Sequence, residues 1–399
     1  MSNLSRKKRS DQKWLVVLIY VVTGGIAGAL NMRYIFEYSK FSGGGQIMLF
    51  LLLLLSVYAA MFLQLILHES GHLVFGLLTG YRFNSFRIHN WMWIKDNGKI
   101  RLTRMSIPGT GGQCLMGPPD LQDGRMPVLL YNFGGALMNL IIGSIALFIS
   151  FALPRDSFFR LFCQLLALFG VTLALANGLP MHVGTVDNDG YNALSLIRDK
   201  KAVRAFWIQM RTNEMTANGV RLKDMPDDWF VVPEDADMKN SLTATIGVLA
   251  CSRLIDQQRF AVADALIAHL LSIDSEITEL HRGLLTCERI YIELIGENRP
   301  EALHSLLTRK QKELMKAMVQ TPSVLRTEYA YALLAEHDPA KAEKYEKRFE
   351  QCAAAYPYPS EIPGERELMQ LAGERAAEME EKTAQAETLP ETTGQDTTE

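Results

Sequence analysis

Residues 47–73 read IMLFLLLLLSVYAAMFLQLILHESGHL, and this stretch decides the fold. From residue 47 to residue 67 it is apolar, with Gln64 as its only strongly polar side chain. The hydrocarbon core of a bilayer is roughly 30 Å thick, so about 20 consecutive apolar residues in a helix can cross it. The stretch therefore predicts a transmembrane helix that ends in His68, Glu69 and His72.

Three further stretches have the length and composition of membrane spans. They are residues 14–30, 126–153 and 161–179. The first is short and follows a basic segment, so it also has the character of a secretory signal peptide. Because no small-residue cleavage site precedes Asn31, we prefer a retained span and predict about four transmembrane helices.

The lysines and arginines of the flanking segments predict the orientation, because such residues are kept in the cytoplasm. Residues 1–13 contain five of them, and residues 81–125 contain seven. The segment after the first span contains two, Arg33 and Lys40, and the turn between the third and fourth spans contains two, Arg155 and Arg160. We therefore expect a multi-pass protein of the cell membrane with both termini in the cytoplasm.

Charge and cysteine content exclude two classes of protein. The 399 residues include 41 Lys and Arg against 44 Asp and Glu, a formal net charge of −3. This balance excludes a polycation that coats nucleic acid, so no nucleic-acid partner is expected. The five cysteines are scattered without a CxxC pair, so neither a disulfide framework nor a zinc–thiolate site is predicted.

The histidines after the second span have the spacing of a metal site. A helix turns about 100° per residue, so His68 and His72 project from one face, one turn apart. Two imidazoles at this spacing can bind one zinc ion, and Glu69 can take a proton from the water that the metal activates. The alternative is two solvated histidines at a helix end, but ionisable groups beside a long apolar run are costly and usually functional.

A catalytic zinc needs a third protein ligand. The candidates lie after the fourth span, where residues 177–190 read NGLPMHVGTVDNDG. Pro180 ends or kinks the helix, which allows a carboxylate to turn inward. The candidate ligands in this segment are His182, Asp187 and Asp189.

The combination of these motifs resembles the site-2 protease family of intramembrane zinc metalloproteases. The shared features are HExxH inside a transmembrane helix and an Asn-x-x-Pro and an Asp-Gly that close a later span, and they cover roughly residues 45–195. The resemblance implies that one zinc ion per chain lies in the membrane near its cytoplasmic side. It implies His68, His72 and Asp189 as the ligands. It also implies Glu69 as the catalytic base.

The spacing of the last motif differs from that of the family, which is Asn-x2-Pro-x4-Asp-Gly. Here eight residues separate Pro180 from Asp189, so Asp187 stays as the alternative ligand. We favour Asp189 because Gly190 follows it and gives the backbone freedom to turn toward the metal.

Two buried amides are candidates for substrate binding. The third span contains Gly134 and Gly135 followed by Asn139, similar to the glycine-rich helix that packs against the zinc helix in the family. Asn177 lies at the end of the fourth span. Because buried amides need partners, Asn139 and Asn177 are predicted to line the active-site cavity and to bind a substrate carbonyl or a developing oxyanion.

The segment between the second and third spans predicts a β-hairpin at the cytoplasmic face. Residues 86–94 and 99–105 have strand character and flank Asp96-Asn97-Gly98, a type I′ turn signal. The glycine- and proline-rich residues 108–119 predict a re-entrant or surface loop. The hairpin edge would hold an unwound substrate as an added strand, or it would only cap the membrane face.

The second half of the chain predicts a cytoplasmic helical domain. Residues 191–238 are a connecting helix and linker, and residues 374–399 are a polar, disordered tail. Between them, residues 239–373 show helical periodicity with breaks near Asp274 and before Pro300, Pro322 and Pro339. We expect an α-helical repeat-like domain that could bind a cytoplasmic protein partner.

The function expected from these features is that of a zinc-dependent intramembrane endopeptidase. It would comprise residues 14–190 and would cleave a membrane protein or a membrane-inserted peptide. Two alternatives stay open: a membrane-anchored zincin that acts on cytosolic or lipidated peptides, and an inactive scaffold. Glu69 argues against the scaffold, which has no need of that carboxylate.

Overall fold

The computed structural model describes residues 2–38, 46–96, 98–105, 110–183 and 186–387. Within these ranges the chain forms 14 α-helices and six β-strands, with the strands in two small antiparallel sheets. The mainly helical architecture is confirmed.

Four helices are long and apolar enough to cross a membrane. They are α1 (Ser2–Tyr38), α2 (Gln46–Leu78), α3 (Leu129–Ala152) and α4 (Phe158–Gly178). The apolar parts of α1 and α2 are longer than predicted and extend over Trp14–Glu37 and Ile47–Leu78. Because apolar helix-forming residues continue after His72, the HExxH residues lie inside α2 and not at its end.

Glycines allow α2 and α3 to approach each other closely. A Cβ added at Gly71 would lie 2.2 Å from the carbonyl oxygen of Gly134, and one added at Gly134 would lie 2.7 Å from that of Gly71. The two backbones are therefore in contact, and small residues allow this approach in a membrane. Helix α3 also packs on α4, and α1 packs on α4.

A four-stranded antiparallel sheet follows α2. Its strands are β1 (Arg82–Ile88), β2 (Trp91–Asp96), β3 (Lys99–Arg104) and β4 (Gly112–Gly117), in the order β3-β2-β1-β4. The predicted turn joins β2 to β3, although Asn97 itself lies outside the described residues. The predicted strand over residues 86–94 is wrong in part, because a turn with His89 at φ 56° divides it between β1 and β2.

The prediction of a loop over residues 108–119 is also wrong in part. Residues 106–109 lie outside the described part of the chain, but Gly112–Gly117 pairs with β1 and forms an edge of the sheet. Its two glycines allow the side chains of Glu69 and Glu214 to approach the strand closely, a common reason for glycine within a strand. The predicted single hairpin is therefore a sheet of twice its size.

The chain after α4 forms a short hairpin and two helices. The hairpin is β5 (His182–Val183) with β6 (Val186–Asp187), followed by α5 (Asp189–Arg198) and α6 (Lys200–Ala217). The connecting helix predicted from residue 191 is thus two helices. Asp199 separates them, because its carboxylate accepts a hydrogen bond from Lys201 N and caps α6.

The remainder is mainly helical, and three of its helices begin with a proline. It comprises α7 (Ser241–Asp256), α8 (Phe260–Ser272), α9 (Glu279–Ile295), α10 (Pro300–Leu306), α11 (Arg309–Ala317), α12 (Pro322–Leu334), α13 (Pro339–Ala355) and α14 (Glu361–Glu387). Helices α10, α12 and α13 begin at the predicted breaks, since proline suits the first helical position. Buried side chains of α9, α12 and α14 share one apolar core.

Two segments differ from the expected linker and tail. The residues between α6 and α7 include three short 3₁₀ turns, and Met225, Phe230 and Met238 from this segment are buried. Helix α14 continues to Glu387, well past the expected start of a disordered tail at Glu374, because its alanines and glutamates favour helix. Residues 388–399 lie outside the described residues.

The part of the chain that contains α7 to α14 contacts both the four-stranded sheet and α6. The Thr103 hydroxyl of β3 donates to the Ala355 carbonyl, and the Ser360 hydroxyl donates to the Thr216 carbonyl of α6 at 2.9 Å. Met92 and Ile94 of β2 pack with Ala217 at the end of α6. The sheet therefore contacts α2 through β1 and β4, and it contacts the second half of the chain through β2 and β3.

Candidate metal centre

Three side chains from two distant parts of the chain converge beside α2. The Nε2 atoms of His68 and His72 lie 3.2 Å apart. The Asp189 Oδ2 atom, from the first turn of α5, lies 3.1 Å from His68 Nε2 and 3.4 Å from His72 Nε2. Both histidines are buried. The three predicted ligands are thus brought together with one donor atom each facing a common point.

The hydrogen bonds of the opposite ring nitrogens identify which imidazole atoms are free to coordinate. Asn139 Nδ2 donates to the Gln64 backbone carbonyl at 2.8 Å and to Gln64 Oε1 at 2.7 Å, which fixes the orientation of the amide. Its Oδ1 therefore accepts a hydrogen bond from His68 Nδ1 at 2.7 Å. In the same way His72 Nδ1 donates to the Tyr131 carbonyl at 2.8 Å. Because Nδ1 is used as a donor, Nε2 is the nitrogen of each ring that can coordinate a metal ion.

This donor set fits a zinc ion. Two lone pairs and a carboxylate oxygen that face one another repel unless a cation lies between them. Ligands at about 2.0–2.2 Å from a tetrahedral zinc lie about 3.3–3.5 Å from one another, which is close to the separations found here. Nitrogen and oxygen donors of this kind are also those of catalytic zinc sites with three protein ligands.

Asn188 places Asp189 at the histidines. Its side-chain Nδ2 donates to the Ala176 carbonyl at 2.9 Å, and its Oδ1 accepts from Met181 N and Tyr191 N, each at 3.0 Å. It thereby joins the end of α4, the residue after Pro180 and the start of α5. Sequence reasoning missed Asn188, although asparagine just before a helix is a common N-cap signal.

Gly190 has a steric role and not the expected one. It lies inside α5, so it does not need the conformational freedom of glycine to turn the chain. A Cβ at this position would lie 2.2 Å from the Gly178 carbonyl oxygen. The absence of a side chain therefore lets α5 approach the end of α4 and brings Asp189 to the site.

The two rival ligands are placed differently. The Asp187 carboxylate accepts a hydrogen bond from the Ser241 hydroxyl at the start of α7, and it is not one of the three converging donors. The side chain of His182 lies outside the described residues.

Glu69 lies in the wall of a cavity next to the three donors. The cavity has a volume of about 440 Å³ and is bounded by α1, α2, α3, α4, α5, α6 and β4. Glu69 is 7% exposed, and a Cβ at Gly112 of β4 would lie 2.6 Å from its Cγ and Oε1. The edge strand β4 therefore runs beside the carboxylate, with residues 110–115 lining the cavity.

Arg87 fixes the chain that leads into β4. Its guanidinium is buried, and it donates to the His89 carbonyl at 2.6 Å, to Thr110 Oγ1 at 2.5 Å and to the Gly112 carbonyl at 3.3 Å. Burial lowers the pKa of Arg87, while the nearby Glu69 carboxylate acts in the opposite direction. Sequence reasoning missed this residue, because arginine in a strand gives no signal of its burial.

The two predicted substrate-binding amides have different surroundings. Asn177 lines the cavity, and its Nδ2 donates to the Leu173 carbonyl at 3.0 Å. Asn139 is completely buried, and both ends of its amide bond to Gln64 and His68. The prediction that Asn139 binds substrate is therefore not supported, because no part of its amide faces the cavity.

Comparison with known proteins agrees with these features. The family model of Peptidase M50B-like proteins matches residues 45–248, just over half of the 399 residues. No curated protein and no solved structure matches the chain significantly. The matched region contains α2, the sheet, α3, α4 and the three converging side chains. The chain therefore belongs to the Peptidase M50B-like family, the site-2 protease type of membrane metallopeptidase.

Proposed function

We propose that the protein is a zinc-dependent intramembrane endopeptidase that cleaves a membrane protein or a membrane-inserted peptide. The observation that carries the proposal is the convergence of His68, His72 and Asp189 within a bundle of apolar helices, with Glu69 in the wall of the adjoining cavity. Intramembrane ionisable groups are expensive, so their convergence there favours a function over an accident of packing.

His68, His72 and Asp189 would hold one zinc ion per chain. When bound, zinc supplies Lewis acidity that polarises the scissile carbonyl and acidifies water. The roles of the protein's own groups follow from their hydrogen bonds. Asn139 and the Tyr131 carbonyl keep the two imidazoles in one tautomer and orientation, as is usual for ligating histidines.

Glu69 would act as the general base. Its carboxylate lies beside the converging donors and faces the cavity, so it can take the proton of the attacking water. The same carboxyl group can then return that proton to the leaving amine. The role needs no contact between Glu69 and the metal.

Strand β4 would hold the substrate. A peptide bond in a transmembrane helix is shielded by its own hydrogen bonds, so the substrate must be unwound before attack. In the described part of the chain β4 is an edge strand that runs along the cavity, so an extended segment could pair with it as an additional strand. Asn177, which lines the same cavity, would donate to or accept from that segment.

The orientation rests on the distribution of basic residues. The five in residues 1–13 and the seven in residues 81–125 favour a cytoplasmic position for both termini and for the sheet. The second half of the chain would then be cytoplasmic as well and available to a protein partner.

Two observations weigh against the alternatives. A membrane-anchored zincin of the second type would take a glutamate from a later helix as third ligand, but here an aspartate after α4 faces the histidines. An inactive scaffold would not need Glu69 beside a complete donor set.

The proposal is tested with the full-length protein reconstituted in lipid vesicles together with a model transmembrane peptide. Mass spectrometry of the products should locate the cut inside the apolar segment of the peptide, and a zinc chelator should prevent it. Cleavage only of a soluble peptide of the same sequence would contradict the intramembrane activity. Cleavage that persists after complete zinc removal would contradict the metal requirement.

A further inference from the structure

A second cavity lies away from the metal centre, where the second half of the chain packs on α6. Its volume is about 220 Å³. We call this cavity the acidic chamber, because four carboxyl groups line it. The polar lining includes Thr212, Thr216, Ser252, Asp256, Glu288, Ser360, Glu361 and Glu365, and the apolar lining includes Leu222, Leu249, Ile255 and Leu368.

The acidic chamber has more carboxyl groups than cationic partners. Two of its four carboxylates have a strong cationic partner. Asp256 accepts from Arg221 Nη2 at 2.6 Å, and Glu288 accepts from Arg326 Nη2 at 2.7 Å. Arg221 also pairs with Glu367 outside the chamber, so its charge is shared.

The other two carboxyl groups have weaker partners. Glu365 Oε2 lies 3.4 Å from Arg326 Nε, too poorly aligned for a hydrogen bond, and within the described residues this oxygen has no hydrogen-bond partner. Glu361 accepts one hydrogen bond from the Tyr356 hydroxyl at 3.0 Å. Glu365 therefore shares the charge of Arg326 with Glu288, and among the described residues Glu361 forms no ion pair.

The hydroxyl groups of the chamber leave acceptors free. Ser252 donates to the Val248 carbonyl at 3.2 Å, and Ser360 donates to the Thr216 carbonyl at 2.9 Å. Their donors are used, so their oxygen lone pairs remain for a ligand. Thr212 is 2% exposed, and among the described residues its Oγ1 has no hydrogen-bond partner, an arrangement that is rare for a buried polar group. A lining rich in acceptors and carboxylates is complementary to a cationic hydrogen-bond donor.

The shape of the chamber favours an organic cation over a bare metal ion. In the described part of the chain, only His68, His72 and Asp189 bring three ligand atoms of the His, Cys, Asp and Glu type within 4.8 Å of one another. The carboxylates of the chamber are spread around its wall and do not converge in this way. The leucines and the isoleucine between them suit methylene groups.

We propose that the acidic chamber binds a small aliphatic amine, in which one or two ammonium groups reach Glu361 and Glu365 and the carbon chain lies against the apolar lining. Burial raises the pKa of Glu361 to about 7 and that of Glu365 to about 8, so the empty chamber retains protons near neutral pH. Binding of the amine releases them, because the ammonium groups stabilise the ionised carboxylates.

Helix α6 connects the chamber to the metal centre. Phe206 of α6 lines the cavity beside Glu69, and Thr212, Asn213 and Thr216 of the same helix line the chamber. A ligand in the chamber therefore contacts an element that also forms part of the active-site wall. Binding of the ligand to the chamber can be measured directly, without an assay of peptide cleavage.

The test uses the full-length protein in detergent micelles and 1,4-diaminobutane as the probe, titrated by isothermal calorimetry. We expect saturable binding with a heat that depends on the ionisation enthalpy of the buffer, since protons are released. Butane-1,4-diol, which has the same length and no charge, should not bind. Magnesium chloride should not displace the diamine.

Four variants make the test specific. Glu361→Gln and Glu365→Gln should each weaken binding by about tenfold or more, because an amide cannot supply the charge. Ser252→Leu should abolish binding, because the added side chain fills the chamber without changing its charge. Glu346→Gln, the same change at an exposed position of α13, should leave binding unchanged.

Three results would overturn the proposal. They are the absence of binding at millimolar diamine, equal binding by Ser252→Leu and the wild type, and displacement of the diamine by magnesium. A thermal unfolding curve of each variant shows whether it is folded, so that a loss of binding is not confused with a loss of structure.

Discussion

Gly112 of β4 lies directly against Glu69 of α2, so that a Cβ at the glycine would be 2.6 Å from the Cγ and Oε1 atoms of the carboxylate. This contact joins two parts of the molecule that the sequence presents as unrelated, an edge strand and the HExxH helix. It places the edge strand β4 at the carboxylate that we propose as the base. The strand that would hold the substrate and the group that would activate water are therefore adjacent.

The contact predicts that Gly112→Ala impairs cleavage. The added methyl group must displace either the Glu69 carboxylate or β4, because real Cβ atoms do not approach other atoms so closely. Cleavage of the model peptide should fall at least tenfold, with zinc content unchanged, since Gly112 contacts none of the three donors. Gly24→Ala adds the same methyl group where no atom lies within 4 Å and should be without effect. Full activity of Gly112→Ala would show that the base does not depend on this packing.

Glu69→Gln should retain zinc and lose cleavage. The amide has the size of the carboxylate but cannot accept the proton of the attacking water, so turnover should fall by roughly 10²–10⁴-fold. Zinc content and peptide cleavage are measured on the same preparation. A normal rate in this variant would refute the assignment of Glu69 as base.

Asn139 and Asn177 should behave differently when each is changed to alanine. Asn139→Ala removes the acceptor of His68 Nδ1, so zinc should bind about 10–100-fold more weakly. Asn177→Ala should leave zinc affinity unchanged and raise KM for the peptide, because Asn177 lines only the cavity. The zinc dissociation constants and the KM values separate the two roles, and unchanged zinc affinity in Asn139→Ala would remove its proposed positioning role.

The acidic chamber predicts that the stability of the second half of the chain decreases as pH rises. The folded state holds protons on Glu361 and Glu365 up to pH about 7 and 8, whereas the unfolded state releases them near pH 4.5, the ordinary pKa of a glutamic acid side chain. The contribution of proton binding by these two groups to the free energy of unfolding is thus fully present below pH 4.5. It is lost as pH rises through 7 and 8. The charged groups that face them are Asp256, Glu288, Arg221 and Arg326.

Glu365→Gln should remove part of this pH dependence. Thermal unfolding between pH 6 and 9 should show a smaller fall than in the wild type, by an amount of the order of 1 kcal/mol. Glu346→Gln should follow the wild-type curve. Identical curves for Glu365→Gln and the wild type would mean that Glu365 is ionised in the folded protein throughout this range.

The parts of the fold that depend on local periodicity could be predicted from the sequence. The apolar run of α2 and the four-residue spacing of His68 and His72 are properties of one helix, so the presence of a span and the shared face follow directly, although α2 continues beyond the predicted end to Leu78. The starts of α10, α12 and α13 are marked by prolines in the same local way.

The parts that depend on distant contacts could not be predicted. The stretch containing β4 is rich in glycine and becomes a strand only because β1 offers a partner. The role of Asn139 depends on which face of α3 meets α2, which the sequence of α3 alone does not determine. The sequence predicts that Gly190 gives the backbone freedom to turn, whereas in the structure it allows the close approach of α5 to Gly178, which depends on a distant contact.

Zinc stoichiometry in Asp189→Ala and Asp187→Ala, measured side by side with the wild type, tests the central claim most directly. The wild type should contain one zinc per chain. Asp189→Ala should lose it, because two histidines cannot complete the three-ligand site. Asp187→Ala should retain it, because Asp187 bonds to Ser241 and does not face the histidines. Full zinc in Asp189→Ala together with loss of zinc in Asp187→Ala would contradict the proposed metal centre.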